Sequence, residues 1–404
     1  MLKDRLFWLA KEEEIKRAKT TDAYFLYTLE TLMKKKVNPK VVMEVYTRAL
    51  PDPDYKWGVL LGTYDVARLL EGLPVSVKSM DEGELFFVNS RSAVYEPVMR
   101  ITGNYADICP YETAILGLLA TPTGVATKAA RIRLEAKDKV LLSFGSRRIH
   151  PSLAPTVERA AYIAGFDGVS NVLAAELMGI RAVGTMPHAL IQVFGSQEDA
   201  WLAFDESVPP EVPRIALVDT LYDEKAESLM ALEVLRNKLY GVRLDTPGSR
   251  RGNMRKIVEE VRWELNARGG RNVKIFVSGG LNEDTVRELV DLVDGFGVGS
   301  SVSSATPVDF SMKVIAVERQ GALVPMAKRG DIGGVKAVYR NYETMVDIVT
   351  LEGKAIPSEY KPLLKDLLVD GKLIRVEESP TEIRAKLLDK LERLRAVEPR
   401  ITWT

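Results

Sequence analysis

One pattern in the middle of the chain limits what it can become: a short β-branched or apolar run, a loop carrying Gly, Asp or Arg, then a helix-periodic stretch, repeated. Seven such runs occur, at residues 139–144, 168–171, 182–186, 214–219, 241–245, 274–278 and 295–299. Helical periodicity separates several of them, at 156–164, 224–240, 251–268 and 283–292. Strands alternating with helices predict a parallel sheet, because each return to the same edge needs a crossover connection. Such units close into a barrel or lie open as a doubly wound sheet, and periodicity alone does not choose. The loops lean toward a barrel enzyme. Polar and reactive residues gather after the strands, at Gly145-Ser146-Arg147-Arg148, Pro187-His188, 220–224, 246–251, Gly279-Gly280 and Ser300-Ser301.

The flanks read differently. Residues 1–112 offer helices at 4–18 and 21–36, then strands at 41–49, 84–88 and 94–101, an α+β region. Residues 320–404 offer strands at 335–340, 345–351 and 373–376, then an amphipathic last helix. That helix opens at Thr381-Glu382 and sets Ile383, Leu387, Leu391 and Leu394 on one side. Neither end carries enough apolar surface for its own core, so the two are expected to pack together as one discontinuous domain beside a catalytic barrel at 113–319.

Charge and composition exclude several functions. The 56 Lys and Arg residues balance 56 Asp and Glu, so no chain-wide field draws in nucleic acid or an anionic membrane surface, and any anion site must be local. No stretch has the eighteen uninterrupted apolar residues of a membrane span, and the first residues lack a signal peptide's apolar core. A single cysteine, Cys109, excludes an internal disulfide and a multi-cysteine zinc site. These features point to the cytoplasm.

Four sets of residues carry chemistry. Two glycine-rich strand ends, Ser278-Gly279-Gly280 and Gly297-Val298-Gly299-Ser300, let backbone amides approach a phosphate, with a helix start beyond each. Tight turns are the plainer account of either loop. Loop cations at Arg147, Arg148, Arg243, Arg250 and Arg251 imply an anionic substrate, because guanidinium groups grip carboxylate and phosphate at two points. The acids Asp167, Asp219 and Asp245 suit magnesium, sugar hydroxyls or helix capping, and the sequence leaves these open. His188, in Gly184-Thr185-Met186-Pro187-His188, is one of 2 histidines and fits a base or a phosphoryl acceptor; His150 reads as structural.

At these residues the sequence resembles the nicotinate phosphoribosyltransferase family, most closely its archaeal-type members. The resemblance rests on Phe144-Gly145-Ser146-Arg147-Arg148-Ile149-His150-Pro151, on Gly165-Phe166-Asp167-Gly168-Val169-Ser170-Asn171 and on residues 184–190. Thr21-Asp22-Ala23-Tyr24-Phe25 and Glu112-Thr113 extend it over nearly the whole chain. It implies an irregular seven-stranded α/β barrel of the type II phosphoribosyltransferase kind, beside an α+β domain built from both chain ends, in a homodimer or larger assembly. The implied reaction moves phosphoribose from phosphoribosyl pyrophosphate to the ring nitrogen of nicotinate. It gives nicotinate mononucleotide and pyrophosphate for NAD synthesis, with magnesium as cofactor and ATP as co-substrate through a phosphohistidine.

Carried onto this chain, the resemblance makes His188 the phosphorylated residue and stacks Phe144 on the pyridine, with Tyr24 of a neighbouring subunit on the opposite face. Arg147 and Arg243 would meet pyrophosphate or the nicotinate carboxylate, and Asp245 the ribose hydroxyls. Gly279, Gly280, Gly299 and Ser300 would cradle the 5′-phosphate. Arg148, Asp167, Thr185 and Ser278 complete the substrate contacts, and Asp219 joins His188, Arg243 and Asp245 in the catalytic group. Some relatives carry a four-cysteine zinc module, which this chain cannot build. The rival readings are a quinolinate or nicotinamide enzyme, or a barrel that binds a nucleotide without catalysis.

Overall fold

The computed structural model describes residues 5–404. The chain divides into two compact units, Lys128–Ala305 and a second made from both ends, residues up to Thr127 with Thr306–Thr404. In the first unit six parallel strands pair in the order Gly168–Val169, Val140–Ser143, Gly295–Val298, Lys274–Ser278, Leu239–Leu244, Arg214–Leu217. Leu141, Ala216, Val242, Ile275 and Phe296 are buried, as expected where helices cover a parallel sheet. The register sets Ser143 opposite Val298, Gly297 opposite Ser278, Leu244 opposite Val277 and Leu217 opposite Arg243. Hence the carboxyl ends of the strands finish along one edge.

The sheet is a parallel half-barrel whose ladder holds six strands. The seventh run, 182–186, is not part of the ladder, but Val183 N–H donates to the Val169 carbonyl at 2.9 Å. Gly184 offers no side chain to pack and Pro187 no N–H to donate, so this stretch is a poor strand. A correction concerns the helix expected to reach residue 240. The helix Glu224–Leu235 begins where Asp223 accepts the Ala226 N–H, and it stops at Arg236, whose φ of 49° leaves the helical region. Leu239 and Tyr240 then open the next strand.

In the second unit a seven-stranded sheet runs Ala322–Pro325, Ser311–Arg319, Lys40–Tyr46, Met99–Asn104, Val75–Ser79, Lys365–Val369, Lys372–Leu373. The Ser311–Arg319 strand pairs antiparallel with Lys40–Tyr46, so residues 306–319 leave the barrel domain in which they were expected. The last helix, Pro380–Leu394, starts in a capping box between Ser379 and Glu382 and buries Ile383, Leu387 and Leu391. Its Lys390 reaches Glu84 at 2.7 Å. Glu84 also receives Arg340 at 2.9 Å, and Arg340 grips both oxygens of Asp347 at 2.7 and 2.6 Å. A buried guanidinium needs such partners because an uncompensated charge is costly there.

The first helix is shorter than the 4–18 expected. Glu12–Lys16 alone is helical, and Asp4 lies outside the described residues. Leu6, Phe7 and Trp8 are exposed, so no buried face supports a longer helix. Among the described residues no helix is long and apolar enough to cross a membrane.

Candidate active site

Five of the functional side chains expected from sequence meet at the common edge of the half-barrel. Arg243 lies within the Leu239–Leu244 strand and Asp245 directly follows it; Ser278 ends its own strand; Asp219 comes two residues after Leu217; His188 opens the helix His188–Phe194. Their contacts form a chain. Ser278 Oγ donates to Asp245 Oδ1 at 2.7 Å and accepts from Arg243 Nη1 at 3.0 Å. Arg243 Nη2 donates to the Met186 carbonyl at 2.9 Å, tying the 181–187 segment to the site. His188 Nε2 lies 3.4 Å from Asp245 Oδ2 and 4.0 Å from Asp219 Oδ1. His188 Nδ1 meets the Thr220 hydroxyl at 3.0 Å.

The electrostatics follow from burial and pairing. Asp219 has a side chain 3% exposed, and among the described residues neither oxygen finds a partner of good hydrogen-bond geometry; burial pushes its carboxyl up to about 6. For Asp245 burial acts in the same direction, but hydrogen bonds from His188 and Ser278 outweigh it and hold the carboxyl below its ordinary range. The Asp245 contact raises His188 above the usual imidazole value, against the opposing effect of burial. Burial pulls Arg243 down within the range where it stays charged. Its Nε is buried without a partner among the described residues, so the guanidinium keeps an unspent donor.

Phe144 directly follows Val140–Ser143, and the Arg243 guanidinium sits 5.7 Å from its ring centroid. Glycine makes room for that ring. A Cβ on Gly297 would lie 2.3 Å from a Phe144 ring carbon, and one on Gly295 would lie 2.7 Å from the Phe276 ring. Gly295 and Gly297 therefore have a steric role, while Gly299, where a Cβ would meet only ordinary contacts, does not. Gly279 and Gly280 hold φ of 85° and 64°, a left-handed pair that glycine adopts without strain. Gly279, Gly280, Gly299 and the exposed Ser300 follow adjacent strands on the same edge.

The remaining expected residues divide. Arg147 and Arg148 are exposed in the short helix Ser146–Arg148, and Thr185 is half-buried beside Met186. Arg147, Arg148 and Arg250 find no side-chain partner among the described residues. Arg251 is spent, donating to the carbonyls of Thr246 and Gly279 and bracing those two loops. Asp167 stands apart. It precedes the Gly168–Val169 strand at the amino edge of the sheet, accepts the Leu141 N–H at 2.9 Å and pairs with Arg133 at 3.0 Å. Its expected substrate contact is thus replaced by a structural tie at the opposite end. Tyr24 belongs to the other unit, where it is exposed.

The sequence reading missed Glu227. This fully buried acid in the first turn of Glu224–Leu235 accepts the N–H groups of Thr220, Leu221 and Tyr222, and Gln197 Nε2 as well. One helical turn earlier, Glu224 accepts from the Thr246 hydroxyl at 2.6 Å. Two acids three apart beside an N-cap Asp look like ordinary first-turn charges, and nothing local marks one of them as buried.

Residues 22–123 match the N-terminal domain, and residues 125–313 the C-terminal domain, of quinolinate phosphoribosyl transferase. A nicotinate phosphoribosyltransferase of Mycobacterium tuberculosis is 28% identical over 396 residues, covering 89% of this chain and 83% of that protein. The crystal structure of nicotinate-nucleotide pyrophosphorylase from Pyrococcus furiosus superposes with a TM-score of 0.92 and 50% identity, covering 97% of this chain and 99% of the other. Human nicotinic acid phosphoribosyltransferase shares the fold, with a TM-score of 0.76 at 20% identity over 95% of this chain and 97% of its own.

Proposed function

Because the chain belongs to the nicotinate phosphoribosyltransferase family, we propose that it transfers phosphoribose from phosphoribosyl pyrophosphate to nicotinate, forming nicotinate mononucleotide and pyrophosphate for NAD synthesis. The observation that carries this reading is the linked Arg243, Ser278, Asp245 and His188 set on the same edge as Phe144 and two glycine loops. The pyridine nitrogen attacks the anomeric carbon, the bond from that carbon to pyrophosphate breaks, and pyrophosphate leaves with the electron pair. Positive charge develops on the ribose while negative charge grows on the leaving group.

Each protein group answers one part of that change. Phe144 stacks on the pyridine, and Arg243, with its unspent Nε donor, faces the nicotinate carboxylate. Asp245, kept ionised, takes ribose hydroxyls and lies where the sugar becomes cationic. The unpaired Arg147, Arg148 and Arg250 receive the pyrophosphate. Gly279, Gly280, Gly299 and Ser300 hold the 5′-phosphate through their backbone. Little covalent work is asked of the chain; aligning the ring nitrogen with the anomeric carbon removes a cost of up to roughly 7–11 kcal/mol.

Magnesium fits the donor set, since the partnerless Asp219 oxygens are hard acceptors for its bound waters, and it would arrive on substrate phosphates to neutralise the leaving group. His188 takes the γ-phosphoryl group from ATP as ADP leaves, and cleavage of the phosphohistidine by water to free phosphate couples transfer to ATP hydrolysis. Tyr24 of a neighbouring subunit closes the pyridine slot in a homodimer. The 181–187 segment serves as the seventh member of the barrel, a placement the Val183 to Val169 bond supports.

Rates with nicotinate, nicotinamide and quinolinate, each with and without ATP, test this reading. Nicotinate alone should turn over with phosphoribosyl pyrophosphate, faster with ATP. Equal turnover of nicotinamide refutes the carboxylate argument, and carbon dioxide release from quinolinate reassigns the substrate.

A further inference from the structure

Outside the groups that face substrate, one buried acid has an unusual load. Glu227 is fully buried and accepts four donors: Thr220 N–H at 3.1 Å, Leu221 N–H at 2.7 Å, Tyr222 N–H at 2.7 Å and Gln197 Nε2 at 2.8 Å. No cation joins them among the described residues. A carboxylate satisfied wholly by N–H groups on three successive residues fixes the backbone of that loop, because each charge-assisted bond is lost if the loop turns. The loop's first residue, Thr220, sets its hydroxyl 3.0 Å from His188 Nδ1.

The ring's other nitrogen settles the donor pattern. His188 Nε2 faces Asp245 Oδ2 at 3.4 Å, and a carboxylate held ionised can only accept, so the proton of the neutral ring belongs on Nε2. Nδ1 is then left with its lone pair, which the Thr220 hydroxyl caps by donating. When the ring is charged the same hydroxyl turns and accepts. Thr220 is therefore a partner that suits both states, and valine would suit neither.

We propose that Thr220, locked by Glu227, is a positioning residue that holds the His188 ring in one orientation and one neutral tautomer, with Nε2 protonated toward Asp245 and the Nδ1 lone pair toward Thr220. This deepens the reading of His188 as the phosphoryl acceptor and rests on it for its kinetic consequence only. With 2 histidines in the chain, a His150→Asn background leaves a single imidazole to observe. Nitrogen NMR of the ring, at a pH alkaline enough to neutralise it, should show the Nε2–H form alone. Thr220→Val should bring in the Nδ1–H form and lower ATP-stimulated kcat by about fivefold, the order expected for one hydrogen bond. Thr220→Ser should restore both, and Glu227→Gln should mix the tautomers and speed amide exchange at residues 220–222.

A pure Nε2–H signal in Thr220→Val, or a Thr220→Ser chain that stays as impaired as Thr220→Val, overturns the proposal. If Glu227→Gln fails to fold, the threonine pair still decides the matter. Should the tautomer shift as expected while ATP stimulates neither protein, the positioning role stands and the phosphohistidine reading of His188 falls.

Discussion

His188 and Asp245 titrate as neighbours, and this gives a pH signature. The Asp245 contact raises the imidazole above its ordinary 6.5, with burial opposing. A raised cationic group stabilises the fold fully below its unfolded value, and that contribution is lost as pH climbs through the higher folded value. Asp245→Asn removes the largest cause, so an NMR titration of His188 should show its midpoint falling; an unmoved midpoint would assign the elevation to Asp219 instead. The sequence could single out His188, Asp219 and Asp245 because acids and a rare histidine after apolar runs are visible as letters. It misplaced Asp167 by the same rule. That residue precedes its strand, and so lies at the amino edge beside Arg133.

Among the elements, the Gly295–Val298 strand is the most constrained by shape. Its two glycines are needed to make room for neighbouring aromatic rings, Gly295 for Phe276 and Gly297 for Phe144. Gly297→Ala would push a methyl group into that ring, and overpacking of this kind costs about 1–3 kcal/mol. Thermal unfolding should register the loss, and the KM for nicotinate should rise because Phe144 is displaced from its stacking position. A fall in stability with an unchanged KM would remove Phe144 from the pyridine slot. In sequence Gly297-Val298-Gly299-Ser300 looks like a phosphate loop, and the fold divides its duties: Gly297 gives space for a ring and Gly299 takes the loop.

For the whole molecule, the residues assigned to catalysis lie in one compact unit and Tyr24 in the other. If Tyr24 is supplied across a homodimer, Tyr24→Ala and Arg243→Ala chains should each be nearly inactive, and mixing them should restore part of the activity through one intact site per mixed dimer. No recovery in verified mixed dimers would exclude the donated tyrosine. Much of this architecture was present in the letters. Repeated apolar runs and capped helices specify a parallel sheet with loops on one edge, since strand burial and helix capping are local properties. Tertiary structure decided the rest. Whether residues 182–186 join the ladder, which sheet receives Ser311–Arg319, and that Glu227 lies buried under three amides all depend on partners distant in sequence, and no local pattern encodes which strand or loop will be the neighbour.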